Sequence, residues 1–436
     1  MTVARRRAFA QKMGPRYAFV VVAFAFVVLL ASAGQRAVPG VLLVPLEQAF
    51  GWNRDTTSLS AAIGIFLYGL VGPFAAALMQ SVGVRRTLMG ALALMAVASA
   101  ASAFMTQPWQ LVATWGVLSG LGTGCVAIVF GATIVNRWFV KHRGLMMGLL
   151  TASTATGTLI FLPALAALAD SSGWRPVVLM VAGICALLLP LAWWLMPERP
   201  ADVGMVPYGA DTTVAVAAPA APSNPLKSAL GALRRAARTR DFWFLFATFF
   251  ICGFTTNGLI GTHFIALCSD RGMAQVQAAG FLALMGLFDL IGTTASGWLT
   301  DRYDARRLLF VYYSLRGLSL MLLPFSDFSF YSLGLFAVFY GLDWIATVPP
   351  TLKLAVQSFG ERDAPIVFGW IVAGHQVGAA SAAFMAGALR TSQGSYLEAF
   401  MIAGATGFIA AVIALRVGRR PPAGAVRVLD QGGSAA

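Results

Sequence analysis

The sequence predicts an all-α membrane protein, with twelve transmembrane helices arranged as two pseudo-symmetric halves of six. Three observations carry this. The 436 residues are 58% hydrophobic and only 11% charged, with a mean hydropathy of +0.76. Soluble domains carry about 25% charged residues. The apolar residues gather into twelve stretches, near the roughly 20 residues that a helix needs to cross a bilayer. One long polar interval, 197–241, leaves six stretches on either side.

In order, the spans cover about 17–45, 57–80, 87–105, 109–137, 144–168, 174–196, 242–267, 275–300, 307–325, 329–357, 364–389 and 396–416. Lipid offers no partner to a free N–H or C=O, so these segments close their own hydrogen bonds as helices. Barrel strands would be about ten residues long and alternating, a pattern the sequence lacks. The start, MTVARRRAFAQKMGPR, is basic, but the apolar run after it is long and has no small-residue cleavage site. It reads as a tail, 1–16, before a retained first span rather than as a signal peptide. The halves are then 17–196 and 242–416, and 417–436 forms a second tail.

The interval 197–241 begins as a Pro/Ala-rich linker, VAVAAPAAPSNP, a flexible composition. From Leu226 onward LKSALGALRRAARTRD predicts a short amphipathic helix. Its Arg234, Arg235 and Arg238 either rest on anionic headgroups or stay solvated.

Net charge is +14, and its placement decides its meaning. Arg54, Arg175, Arg271 and Arg390 fall on one side of the predicted membrane, and Arg36, Arg316 and Lys353 within spans. All other Lys and Arg fall on the side of the two tails. This positive-inside bias puts both termini in the cytoplasm of a bacterial inner-membrane protein. The basic residues make no continuous face, so no nucleic-acid partner is expected. Cys125, Cys185, Cys252 and Cys268 are far apart, lack metal spacing and read as small apolar residues. No cofactor or metal is expected. The sequence has no phosphate loop, no His-Glu metal helix and no nucleophile elbow, so no enzyme is expected.

A repeated loop joins the two halves in kind. Between spans 8 and 9 the chain reads GWLTDRYDARRLL, and between spans 2 and 3 ALMQSVGVRRTLM. Aligned, Gln80 and Ser81 oppose Asp301 and Arg302, and Arg85–Arg86 oppose Arg306–Arg307. The second loop matches G-x-x-x-D-R-x-G-R-R except for Asp304. In this motif the chain resembles the major facilitator superfamily, over essentially its whole length. The resemblance implies that Arg85, Arg86, Asp301, Arg302, Arg306 and Arg307 belong to gating loops, that the protein works as a monomer, and that its halves rock around a central site. Four further stretches, PLEQAFGWNRDTTSLS, RWFVKHRGLMMGLLTASTATG, PERPADVGMVPYG and THFIALCSDRGM, are similar to the monocarboxylate-transporter-like and oxalate/formate-exchanger-like branch. Where that branch often carries Arg four residues after the span 8 acid, this chain has Asp289 followed by Thr293.

Three ionisable residues sit inside apolar segments: Asp289, Arg316 and Asp343. A charge at mid-membrane costs about 2.5–3.5 kcal/mol on insertion scales and persists only beside a partner or a polar cavity. Counted at 1.5 Å per residue from the loops, all three share a central slab. They read either as a network that opens when solute or proton arrives or as a fixed pair locking spans 8 to 10. Arg36, near Pro39–Gly40, suits bidentate capture of a carboxylate; snorkelling competes. His375 can titrate near neutral pH. Tyr68, Asn257, Trp344 and Gln376 complete the solute-binding candidates, and His263 reads as a gate or interface residue. Pro349–Pro350 are expected to break span 10.

The leading expectation is a secondary transporter of a small organic anion, a monocarboxylate, coupled to protons. Arg36, with Arg316, would neutralise the anion, and Asp289, Asp343 or His375 would carry the proton. The alternative is an exporter of lipophilic or cationic compounds by proton antiport. A missing span 5 signature (Gly157 is followed by Phe161, Leu162 and Pro163) counts against it.

Overall fold

A computed structural model describes residues 3–210 and 225–418. It is helical, and no strand forms among the described residues. Twelve helices follow the apolar stretches: α1 (Tyr17–Phe50), α2 (Arg54–Ser81), α3 (Val84–Ser102), α4 (Pro108–Trp138), α5 (Arg143–Ser172), α6 (Trp174–Leu195), α7 (Arg240–Asp270), α8 (Gln275–Arg302), α9 (Ala305–Leu322), α10 (Phe330–Gly360), α11 (Asp363–Gln393) and α12 (Leu397–Ala414). Eleven are long and apolar enough to cross a membrane by themselves, and α5 holds the shorter apolar stretch Leu159–Ser172. An even number of crossings returns the chain to the face it started from, called here the terminal face.

The connections at the opposite face are tight. α1 ends at Gly51, whose φ of +67° suits a glycine, and its N–H closes on the Glu47 carbonyl at 2.8 Å. α1 itself runs through Pro39 and Pro45 without ending. Helix pairs α1–α7, α2–α11 and α5–α8 join the halves. Small residues bring them close: a Cβ on Gly40 would lie 3.0 Å from the Gly261 carbonyl, and one on Gly69 would lie 2.3 Å from Gln376 Cβ.

The apolar core is divided unevenly along the membrane normal. Toward the opposite face one cluster runs across both halves, from Val38, Leu42 and Leu165 to Phe264, Phe281 and Ala386. Toward the terminal face there are two separate clusters, one around Tyr17, Trp138 and Leu188 and one around Phe242, Tyr313 and Ala411. The halves are welded at one end and have cores of their own at the other.

Of the two polar segments described, the amino tail folds more than the sequence suggests and the linker helix as expected. Residues assigned to the amino tail form the helix Val3–Met13. Its Arg6 is buried and donates to the Trp193 carbonyl, and Phe9 lies 5.0 Å from Trp194, ring to ring. In the linker the helix Pro225–Ala236 forms where it was expected, but Arg235 pairs with Asp363 at 2.8 Å rather than facing headgroups freely. The Pro/Ala-rich residues 211–224 and tail residues 419–436 lie outside the described residues.

Candidate functional site

The sequence candidates separate into two groups. The first is built around a break in α10, where Trp344–Thr347 leave the helix and Val348 resumes it. Pro349 and Pro350 do not make this break. They stand in the first turn of the second piece, where a missing N–H and a fixed φ cost nothing.

A break at mid-membrane strands backbone groups that water cannot reach, and the ionisable residues satisfy them. Arg316 places Nε 2.5 Å from Asp343 Oδ2, and its Nη2 donates to the carbonyls of Asp343 at 2.5 Å and Trp344 at 3.2 Å. Its Nη1 donates to Cys252 Sγ at 3.1 Å. Asp289 Oδ1 accepts from the Ile345 N–H at 2.9 Å and the Thr293 hydroxyl at 3.0 Å. Thr293, one turn after Asp289 on α8, thus serves the acid directly. Arg316 is 1% exposed, and α8 meets α10 so closely that a Cβ on Gly292 would sit 1.9 Å from the Leu342 carbonyl. Asp289, Arg316 and Asp343 therefore face one another inside the carboxyl-terminal half. Asp343 Oδ1 is left buried without a hydrogen-bond partner. Trp344 packs edge-on against Tyr340 at 5.6 Å.

The second group lies between the halves. Arg36 stacks over the Tyr68 ring, 4.9 Å from its centroid, and donates to Ser32 Oγ at 3.1 Å. It is half-buried, and among the described residues it forms no ion pair. Tyr68 precedes Gly69, against which Gln376 of α11 rests. Asn257 lies one turn before the Gly40–Gly261 crossing on α7, as Arg36 does on α1, so both sit about 6 Å toward the terminal face from that crossing. Asn257 is the one residue of the wide-turn segment Phe254–Ile260 that is not buried. Arg36, Tyr68 and Gln376 thus come together from α1, α2 and α11, and Asn257 of α7 stands at the depth of Arg36.

His375 connects the two groups. It precedes Gln376, its ring lies 5.2 Å from Phe249, and its carbonyl packs on Gly253, the neighbour of Cys252. Its Nδ1 is buried without a hydrogen-bond partner.

The gating-loop residues behave differently in the two halves. Arg302 donates to the Trp298 carbonyl at 3.2 Å and lies over that ring, the Arg306 N–H is capped by Asp304 at 2.8 Å, and the Arg306 side chain reaches the Gly418 carbonyl at 3.4 Å. Asp301 and Arg307 are exposed and make no ion pair among the described residues. In the amino-terminal half Arg85 lies over the Trp193 ring at 4.9 Å, and Arg86 is exposed.

Sequence reasoning missed Glu198. Its carboxylate accepts from the Val84 and Arg85 N–H groups at 2.6 and 3.2 Å, and its carbonyl accepts from Arg137 at 2.9 Å. An acid from beyond α6 thus caps α3 in the loop that lacks the Asp-Arg pair. A second missed set lies at the opposite face, where Glu47, Arg54, Asp270, Arg390 and Tyr396 meet. Its one legible trace was rarity: two of its members are among the four basic residues on that face.

Comparison with known proteins agrees with this architecture. The family model described as Major Facilitator Superfamily matches residues 24–362. An uncharacterized MFS-type transporter, YcxA, from Bacillus subtilis (strain 168) is 27% identical over 80% of this chain and 82% of its own length. Monocarboxylate transporter 13 of Rattus norvegicus is 28% identical over 84% of this chain and 81% of its own. A gallate transporter of Pseudomonas putida is 24% identical over 70% of each. Among solved structures, a bacterial homologue of the human lysosomal transporter Spinster, in an inward-facing and occupied conformation, superposes with a TM-score of 0.73. It does so at 15% identity, over 93% of this chain and 97% of its own. The chain belongs to the major facilitator superfamily and is a multi-pass membrane transporter, not an enzyme.

Proposed function

We propose that the chain carries a small organic anion of the monocarboxylate class, coupled to protons, by rocking its two halves about a central site. The observation that carries the reading is Arg36: a half-buried guanidinium held by Ser32 and Tyr68, with no ion pair among the described residues. A partly buried cation without an ion-pair partner among the described residues favours an anionic solute, and its planar fork suits a carboxylate. Tyr68, Gln376 and Asn257 line the same region and would hold the rest of the solute. The names of the monocarboxylate and gallate relatives point the same way. Asp289 and Asp343 are already engaged around the α10 break, which speaks against their serving as binding acids for a cationic drug.

For the proton, the unpartnered Asp343 Oδ1 and His375 Nδ1 are the available acceptors. His375 packs on Gly253, beside Cys252 of the Arg316–Asp343 group, and adjoins Gln376 of the solute group. By the positive-inside bias the terminal face is cytoplasmic in a bacterial inner membrane. With one core at the opposite face and two at the terminal face, the conformation described is the one open toward the cytoplasm. The carrier acts as a monomer.

The test is melting temperature in detergent against a panel of carboxylates, amino acids and cationic drugs. A ligand that binds only the folded state adds about 2.7 kcal/mol at a hundredfold excess over Kd. Stabilisation by a carboxylate that is lost in Arg36→Ala, followed by uptake of that compound driven by a pH gradient, is the expected result. Stabilisation by cations alone would discard the reading.

A further inference from the structure

At the face opposite the termini, the halves are tied by a chain of polar contacts that the carrier reading does not use. Arg54, at the start of α2, grips the Glu47 carboxylate with Nε and Nη2. It also reaches across to the carboxyl-terminal half, donating from Nη1 to the Tyr396 hydroxyl at 2.7 Å and approaching Asp270 at 3.5 Å. Asp270 is shared with Arg390 at 2.7 Å. The Tyr396 hydroxyl lies 2.9 Å from His263 Nδ1, and His263 Nε2 lies 2.7 Å from the Ala383 carbonyl. His263 is fully buried.

These contacts fix the state of the imidazole. A carbonyl only accepts, so Nε2 carries the hydrogen. Nδ1 is then the acceptor of the neutral ring, and the Tyr396 O–H donates to it while accepting from Arg54. Every donor in the chain from Arg54 through Tyr396 and His263 to Ala383 meets one acceptor. Burial holds the Tyr396 phenol above its ordinary range, so that donor is secure.

A proton on Nδ1 would undo this order. Two cationic N–H donors, from Arg54 and His263, would then point at one hydroxyl, whose own hydrogen would lose its acceptor. The formal charges around the site balance without that proton: Glu47 and Asp270 against Arg54 and Arg390. An imidazolium adds one unpaired positive charge on the carboxyl-terminal side of the seam, facing the Arg54 cation across it, where a low dielectric makes the repulsion strong.

We infer that Arg54, Tyr396 and His263 form a proton-released latch between the halves: neutral His263 holds the opposite face shut, and its protonation lets that face open. His263 is a positioning residue here; it touches no solute. The inference goes beyond the carrier reading and holds whatever solute moves. It puts a proton-sensitive group at the seam, apart from the mid-membrane acceptors.

The experiment reads the latch without transport. Asn53 and Ser392 are exposed, on separate halves, beside the contact in which the Asp55 N–H donates to Thr391 Oγ1 at 3.2 Å. Spin labels on Asn53→Cys and Ser392→Cys report their distance, with the unmodified chain as background for its four cysteines. One short distance is expected near pH 8 and a second, longer one near pH 5, the range in which histidine titrates. The ratio of long to short should rise about tenfold for each unit by which the two conformations differ in proton affinity. His263→Gln, which keeps a neutral donor for Ala383, should stay short at both values. Tyr396→Phe should show the longer distance already near pH 8. A native distance that ignores pH overturns the latch, and so does an unchanged transition in His263→Gln. Should that variant fail to fold, a native pH profile in Tyr396→Phe overturns it equally.

Discussion

The two halves solve one problem with different chemistry. Each has a fourth helix that breaks near mid-membrane, at Val126–Ala127 in α4 and at Trp344–Thr347 in α10. In the amino-terminal half the freed Val126 carbonyl faces the Ser32 hydroxyl at 3.4 Å, and Gln35 joins Ser99 and Ser119 at 3.0 Å each. All of these groups are neutral. In the carboxyl-terminal half the same three helices by position, α7, α9 and α10, meet through Cys252, Arg316 and Asp343, with Asp289 added from α8. The comparison teaches that a buried charge in this fold need not mark the solute path. It can be the capping group of a broken helix, while the proposed solute path is marked by the residue next door: Gln35 joins Ser99 and Ser119, and Arg36 lies over the Tyr68 ring of α2.

The largest expected effect tests that contrast directly. Arg316→Met leaves Asp343 buried without its cation and strips two backbone carbonyls of donors, a loss of about 3–5 kcal/mol. Gln35→Leu removes two neutral hydrogen bonds, each worth about 0.6 kcal/mol on average inside a membrane. Chemical unfolding in detergent should rank them in that order. The pair Arg316→Met with Asp343→Leu sharpens the point. Were the two residues only an ion pair, removing both would restore stability; as a brace for the break, the double variant stays destabilised, because the carbonyls of residues 343 and 344 remain unmet. Equal costs for Gln35→Leu and Arg316→Met would break the comparison.

Next in size is Arg36→Ala. A hydrogen bond to a charged group is worth about 1.5–3 kcal/mol, so carboxylate affinity should fall by roughly 10- to 150-fold. Melting without ligand should change little, since Arg36 stabilises no buried acid. Arg36→Lys keeps the charge but loses the fork and should lie between. Titrations of ligand-induced stabilisation measure all three. An Arg36→Ala chain that melts as early as Arg316→Met would erase the distinction between a solute-facing and a bracing arginine.

This contrast also marks how far the sequence could be read. The twelve helices in two halves were legible because hydropathy is local and each helix is long. The shared depth of Asp289, Arg316 and Asp343 followed from counting residues along helices. Their direction did not, because a helix hydrophobic on most faces gives no phase. The α10 break was misplaced for a similar reason: Pro349–Pro350 are the visible signal, but proline is comfortable in a first turn, and the break is set by Arg316 and Asp289 from other helices. His263 could be read as a gate or interface residue, but the Glu198 cap and the Arg54–Tyr396–His263 chain could not be assembled from sequence, because the groups that the Glu198 carboxylate caps and the links of that chain lie 113 to 342 residues apart.

The smallest effects concern the two gating loops. Glu198 caps α3 through two N–H groups, and an acid at a helix start is worth about 0.5–2 kcal/mol. Glu198→Gln keeps the shape and loses the charge, so melting should fall by a few degrees. Asp301 is exposed and unpaired in the conformation described, and Asp301→Asn should stay within about 0.5 kcal/mol. Solute uptake should reverse this order. The amino-terminal loop holds its cap in the conformation described, whereas on the proposed rocking cycle the charges of Asp301 and Arg307, unpaired among the described residues, would gain partners as the terminal face closes. Asp301→Asn should therefore slow turnover without destabilising the protein, and Glu198→Gln should do the opposite. Parallel losses of stability and uptake in both variants would mean that the two loops brace the resting fold alike, and that the asymmetry of the halves stops at mid-membrane.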